Sequence, residues 1–439
     1  MTARPGPASI ETRLAMASLP PLPRNAWLEI DLDRLRGNVA ALRAALPAGA
    51  RLESVIKADA YGHGALPLAR ALVAAGVDGL VVATFDEASE LRASGVRAPI
   101  LCLYSVPPAV IEAAMRQAIA VAASDDTSLD RMLDAAAAAW TGTAWTGTSW
   151  TGTSGTGRQT LQRPRRALHI QLEVETGLGR AGLLPEDVPA AAARIAHTPG
   201  ARLAGIWSHL QAANDVTRTS SQDARFALAL GHLRDAVGHV PHRHLAASAG
   251  LLGRAVPGYD GVRIGLATYG LLPDDIDPAE AARPPASLLR PILSLHARPV
   301  RVADQPAGTG ISYGPSFTTS RPSRIATLPL GYGDGFPRLL SNRAHALVRG
   351  QRAPLVGNVA MDALMVDVTD VVGSPVTLDD EFVLLGEQGS DAITVEELAQ
   401  LRTTNSWETV TAMARRLTRV YHADSAVVDI RTLATGRDR

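Results

Sequence analysis

The sequence predicts an α/β protein, an N-terminal (β/α)8 TIM-like barrel followed by a C-terminal β-rich domain, and three observations carry that prediction. Eight short apolar runs follow one another after Trp27, helical patterns lie between them, and from about Pro291 the texture changes to strands joined by turns. At 439 residues the chain also exceeds the roughly 250–300 at which a single core stops growing, so two domains are expected.

Residues 1–25 are rich in Pro, Ala and Arg and lack the apolar centre of a signal peptide, which predicts a flexible extension, with Met16 as a second candidate start. The barrel domain is expected over 26–290. Leu35, Val39, Leu42 and Leu46 place an apolar stripe on a helix ahead of the first strand. Strands are then expected at 52–56, 80–84, 100–104, 118–122, 169–174, 203–208, 244–247 and 262–264, with helices at 65–75, 111–117 and 224–237 among the connections. Residues 135–160 break the pattern, because an alanine run gives way to W-T-G-T repeats starting at Trp140, Trp145 and Trp150. Such Gly- and Thr-rich sequence suits a disordered surface loop, with a ligand-stacking patch as the alternative. The second domain, 291–439, is expected to hold strands at 292–302, 323–330, 344–348, 354–356, 364–368 and 381–385. A hairpin turn is expected around Arg349-Gly350-Gln351-Arg352, and helices at 395–401 and 409–417.

Composition excludes several classes of function. Lys+Arg and Asp+Glu both number 43, so zero net charge gives no reason to expect nucleic acid or an anionic membrane as partner. Asp78 interrupts the longest apolar stretch, and no run reaches the roughly 18 residues of a membrane span. The single cysteine, Cys102, rules out an internal disulfide and suits a reducing, cytoplasmic setting. No His, Cys and Asp cluster with metal-ligand spacing is visible, so no metal site is expected.

One residue stands apart from this background. Lys57 is the only lysine, so 42 of the 43 basic side chains are arginine, which meets every ordinary need for positive charge. Arginine cannot shed its proton; a desolvated lysine can, and it then becomes a nucleophile or an imine partner. Lys57 directly follows the first expected strand, at the barrel rim where catalytic groups collect. Tyr61 lies four residues on, and Gly62 and Gly64 would free backbone amides for an anion at the next helix start. An amine beside a phosphate site points to pyridoxal phosphate.

The segment V-I-K-A-D-A-Y-G-H-G over 55–64 resembles the cofactor segment of the alanine racemase family, fold-type III pyridoxal-phosphate enzymes. The resemblance extends from about Trp27 to Tyr421 through E-T-G-L-G-R at 175–180, G-I-W-S-H at 205–209, V-R-I-G at 262–265, I-S-Y-G at 311–314, G-Y-G-D-G at 331–335 and V-A-M-D at 359–362. It implies racemisation of L- and D-alanine by two bases, supplying D-alanine for peptidoglycan. Lys57 would form the imine with the cofactor and act as one base, and Tyr313, brought in by the partner subunit of a homodimer, would act as the other. His209 would hydrogen-bond Tyr313 and link it to Arg263, which would face the pyridine nitrogen. Arg180 would hold the substrate carboxylate and the cofactor's phenolic oxygen, the Met361 backbone N–H would add to the carboxylate site, and Tyr61, Ser248, Gly265 and Leu266 would contact the phosphate.

The chain departs from the family pattern in four places. Glu173 stands where many members carry a carbamylated lysine, and its carboxylate could orient Arg180 without modification. Trp407 replaces a tyrosine at the substrate entrance, while Asn358 and Ala363 replace an arginine and a glutamine near Met361, so serine is a plausible second substrate. A non-catalytic pyridoxal-phosphate carrier on the same barrel would have no use for a second domain or Tyr313. A lyase of the kind that resembles D-threonine aldolases would need a metal site in that domain.

Overall fold

The computed structural model describes residues 9–142, 166–253, 259–274 and 276–434. All eight expected barrel strands form, β2 (Arg51–Val55), β3 (Gly79–Val82), β4 (Ile100–Cys102), β5 (Ile119–Ala123), β6 (Leu168–Glu173), β7 (Ala201–Trp207), β8 (His242–His244) and β9 (Gly261–Ile264), and they close in chain order. Closure is made by β9 pairing in parallel with β2, Arg263 opposite Glu53. Helices occupy the outside. Leu32–Ala44 buries Leu35, Val39 and Leu42 along its expected stripe and is capped by Asp31, whose carboxylate accepts from the amides of Asp33 and Arg34. Ala65–Ala74, Ile111–Gln117 and Val216–Val237 match or extend the expected helices.

The second domain is β-rich as expected, but part of it precedes the barrel. Strand β1 (Ala26–Asp31) pairs antiparallel with β10 (Leu293–Ala297) and parallel with Thr418–Ala423, placing it inside the C-terminal sheet. The boundary expected at 26 therefore falls later in the chain, which enters the barrel only through the helix Leu32–Ala44. The expected strand over 292–302 is two strands, β10 and Arg301–Gln305, in different sheets. Strands Thr418–Ala423 and Ala426–Arg431 also form, the first immediately after the 409–417 segment, where only Ser406–Thr411 is helical. The hairpin turn is present: Arg349 (φ 52°) and Gly350 (φ 74°) both take positive φ between His345–Val348 and Gln351–Pro354, the type I′ pattern that matches strand twist.

Two other expectations need correction. Residues 10–25 are not a loose extension: Ile10–Met16 is a helix that buries Ile10 and Leu14 against Trp27, Val420, Val427 and Ile430. Its Arg13 makes two hydrogen bonds to Glu29, at 3.0 and 2.6 Å, and Arg24 reaches Asp334 at 2.6 Å. Apolar i, i+4 spacing at Ile10 and Leu14 was the available signal. The expected loop at 135–160 begins as helix, because Asp126–Thr141 continues through the alanine run with Ala135 and Ala136 buried. Residues 143–165, with the rest of that expectation, lie outside the described residues. No described helix is long and apolar enough to cross a membrane.

Candidate active site

Lys57 leaves the end of β2 and starts a turn that winds the wrong way. Ala58, Asp59, Ala60 and Tyr61 all have φ between 52° and 56°. A left-handed turn of L-residues costs about 1–2 kcal/mol per residue, so its surroundings must hold it. Glu87 accepts from the Ala58 amide at 2.6 Å, and Asp59 accepts from the Ala65 amide at 2.8 Å while pairing with Arg431 at 2.7 Å. Arg419 donates to the Gly62 carbonyl and Tyr421 to the His63 carbonyl, both from the second domain. The glycines serve this packing and not an anion site as expected: a Cβ on Gly62 would lie 2.4 Å from the Val410 carbonyl oxygen, and one on Gly64 would run into the Tyr421 hydroxyl. The outcome is a lysine and a phenol, Tyr61, aimed together over the barrel mouth.

A cavity of about 480 Å³ opens there, lined by Lys57, Tyr61, Arg180, His209, Ser248, Arg263, Gly265 and Leu266. Eight of the ten residues expected at the site thus come together on one chain. Burial lowers the pKa of the Lys57 ammonium, and the nearby positive charge of Arg180 lowers it further, so the amine is easier to deprotonate than a surface lysine. Arg263 is buried, its Nη1 donating to His244 Nδ1 at 2.6 Å and its Nη2 to the Ser208 carbonyl at 2.6 Å, with the guanidinium lying 4.7 Å from the Trp207 ring centre. Desolvation brings its pKa down only to about 10, so it stays charged at neutral pH. His209 Nδ1 lies 3.2 Å from Arg263 Nη2, and burial together with the Arg263 charge pushes this imidazole down to about 3, which keeps it neutral.

The far wall of the cavity suits a phosphate. Ser248 Oγ accepts from the amides of Gly265 and Ala267 at 3.2 and 3.3 Å, and the Gly265 position has no room for a side chain because its Cβ would sit 2.5 Å from the Tyr61 hydroxyl. Backbone amides, two hydroxyls, a desolvated amine and two arginines in one cavity fit a phosphorylated aldehyde such as pyridoxal phosphate.

Arg180 is half exposed and is held by Glu173, whose buried carboxylate accepts from Arg180 Nη2 at 3.0 Å and from Ser124 Oγ at 2.6 Å. Trp407, from the helix Ser406–Thr411, closes one side of the cavity. Tyr313 and Met361 do not line it; both are exposed on the second domain, Tyr313 at 80%. The Tyr313 loop is nonetheless built firmly. Asn358 Nδ2 donates to the carbonyls of Tyr313 and Gly314, and Ser312, at φ 68°, donates its hydroxyl to the Asn358 carbonyl. Asn358 is thus engaged with this loop.

Sequence reasoning missed Glu87, Asp59, Ser124, Trp207 and His244. Asp59 and Trp207 stood inside the quoted segments 55–64 and 205–209 without a role, and His244 left a trace as a polar residue in a run that should have been apolar.

Two family models match the chain: alanine racemase, N-terminal domain, over residues 30–273, and alanine racemase, C-terminal domain, over residues 292–421. The alanine racemases of Symbiobacterium thermophilum and Syntrophobacter fumaroxidans are 39% and 38% identical to it, over 92% and 91% of this chain and 98% of each relative. Among solved structures, the alanine racemase of D-cycloserine-producing Streptomyces lavendulae is 35% identical with a TM-score of 0.78, covering 92% of this chain and 98% of its own. That of Bacillus anthracis with bound L-Ala-P is 28% identical with a TM-score of 0.81, covering 95% and 100%. With both domains matched and the relatives covered almost end to end, the chain belongs to the alanine racemase family.

Proposed function

We propose that this protein interconverts L- and D-alanine with pyridoxal phosphate. The observation that carries the reading is the placement of the chain's only lysine, its proton loosened by burial, in one cavity with two arginines and an amide-lined cradle, in a family of alanine racemases. When bound, pyridoxal phosphate would supply the electron sink that makes the substrate Cα–H acidic.

The protein's own groups then have separable tasks. Tyr61, Ser248, Gly265 and Leu266 hold the phosphate. Arg180 binds the substrate carboxylate, with the Met361 backbone amide of the partner subunit as a second donor. Arg263 would hold a fixed positive charge toward the ring nitrogen and so keep that nitrogen from taking a proton. Lys57 Nζ and Tyr313 Oη exchange protons with opposite faces of Cα, since inversion needs removal on one side and return on the other. The exposure of Tyr313 and its absence from the cavity of its own chain support a homodimer in which each subunit completes the other's site. Peptidoglycan precursor supply and a cytoplasmic location complete this reading.

Incubating the protein with L-alanine and following the decay of optical activity tests it. Decay to a racemic end point is expected; unchanged rotation in the presence of the cofactor would sink the assignment. L-serine in parallel reports whether Asn358, Ala363 and Trp407 widen the specificity.

Glu173 is the carboxylate that orients Arg180. Replacing it with glutamine keeps the shape and the bond to Ser124 but removes the charge, so KM for alanine should rise about tenfold with a smaller change in kcat, as read from steady-state kinetics.

A further inference from the structure

Arg263 is held without a carboxylate. Among the described residues it donates to the carbonyls of Ser208, His244 and Leu245 and to two imidazoles, His244 at 2.6 Å and His209 at 3.2 Å. The contact with His244 Nδ1 forms only while that nitrogen carries a lone pair. His244 is fully buried, and burial, followed by the charge of Arg263, holds its pKa well below the ordinary histidine value. The ring is therefore neutral and carries one proton. Where that proton sits decides whether Arg263 meets an acceptor or another N–H.

Gln171 settles the choice. Its Oε1 lies 2.6 Å from His244 Nε2, so the amide oxygen accepts the proton there and leaves the Nδ1 lone pair to Arg263. The strands are shaped to bring this amide inward. The pairing of β6 with β7 shifts register between Ile170 and Gln171, an irregularity of the kind that re-aims a side chain. Gly205 on β7 clears the space, since a Cβ there would lie 2.9 Å from Gln171 Cδ. The His244 ring stacks on His242 with centres 4.8 Å apart and on Trp207 at 6.2 Å, which fixes its plane. His242 is held in turn by Glu53, whose Oε1 lies 3.3 Å from its Nε2, and Gly261 leaves room for it, since a Cβ there would come within 2.7 Å of the ring.

We propose that Gln171 is a positioning residue for racemisation: it fixes the tautomer of His244 and, through it, the Arg263 guanidinium that serves the cofactor's ring nitrogen. Gln171 does not line the active-site cavity, so it acts only through His244. The proposal rests on the racemase reading for its effect on turnover, whereas the tautomer belongs to the protein without cofactor.

Gln171→Met keeps the unbranched shape and exchanges the amide oxygen for a thioether, a weak acceptor. In cofactor-free protein carrying ¹⁵N-labelled histidine, the two ring nitrogens of His244 give separate signals, assigned by their loss in His244→Gln protein. The unaltered protein should show the proton on Nε2, and the methionine variant should move it, wholly or in part, to Nδ1. With cofactor loaded, that variant should lose about tenfold in kcat for alanine while KM changes less than about twofold, because Arg180 and Glu173 still hold the carboxylate site. Gln171→Glu retains an oxygen at the same reach and should recover most of the loss. A role in stability alone would move neither the tautomer nor kcat. The proposal is overturned by an Nδ1 proton in the unaltered protein, by a tautomer unmoved in the methionine variant, by a moved tautomer with kcat intact, or by a glutamate variant no better than methionine. Should the variants misfold, the unaltered protein decides: a proton on Nε2 supports the assignment, and one on Nδ1 overturns it. Absence of any alanine racemisation would instead strike the racemase reading, with the His244 tautomer still reporting the contact with Gln171.

Discussion

Lys57→Arg protein, loaded with pyridoxal phosphate and then dialysed free of unbound cofactor, is expected to lack the absorbance of a lysine imine and to racemise alanine at least on the order of 10⁴-fold more slowly. Arginine keeps the positive charge and most of the length, so the substitution isolates one property, the ability to exist as a free amine. The environment of Lys57 is arranged for that property. Burial and the charge of Arg180 both lower its pKa, and only Glu87 opposes them. A guanidinium in the same place stays protonated and cannot condense with an aldehyde. It would still satisfy any purely structural demand for a cation at the rim, and a protein with 42 other arginines tolerates that residue widely. The measurement is absorbance, followed by borohydride reduction and mass analysis. If reduced Lys57→Arg protein still carries covalently attached cofactor, the amine assignment is wrong.

How far the site could be read in the sequence follows from the kind of information each residue carries. Lys57 was legible because composition marked it, whereas Arg263, His209 and Ser248 were picked out by the segments that resemble the alanine racemase family, since a polar residue at or just past a barrel strand end is by itself more often structural. The left-handed turn at 58–61 was not legible. Nothing in Ala58 or Ala60 favours positive φ, and the conformation is imposed by Glu87, Arg419, Tyr421 and Arg431, most of them more than 300 residues away. The roles of Gly62 and Gly64 were misread for the same reason. A glycine signals freedom of φ or of space, and only the fold shows that Val410 and Tyr421 take up that space.

The domain boundary failed for a related reason. β1 is an ordinary apolar strand, and strand character is local, but its partners β10 and Thr418–Ala423 lie in the second domain. Placing it early in the chain suggested the barrel; pairing decided otherwise. Glu53 escaped notice inside the strand expected at 52–56, and His242 because the strand expected at 244–247 begins instead at 242; which side chains of these strands turn inward emerges only once eight strands close.

The second large effect concerns Tyr313. Tyr313→Phe should keep the colour of bound cofactor, since Lys57 and the phosphate cradle are untouched, yet lose alanine racemisation by about 10³-fold, a typical loss for removal of one proton-transfer group. With one base remaining, one enantiomer should still exchange its α-hydrogen with heavy water while inversion is blocked, which separates loss of a base from loss of binding. The exposed position of Tyr313 makes a sharper test possible. Unfolding and refolding an equal mixture of Tyr313→Phe and Lys57→Arg proteins produces mixed dimers. In half the sites of each mixed dimer, a native lysine from one chain meets a native tyrosine from the other. Random assortment makes about half the dimers mixed, so about one quarter of wild-type activity should return. If Tyr313 instead served Lys57 of its own chain, every site in the mixture would lack one base, and none would return.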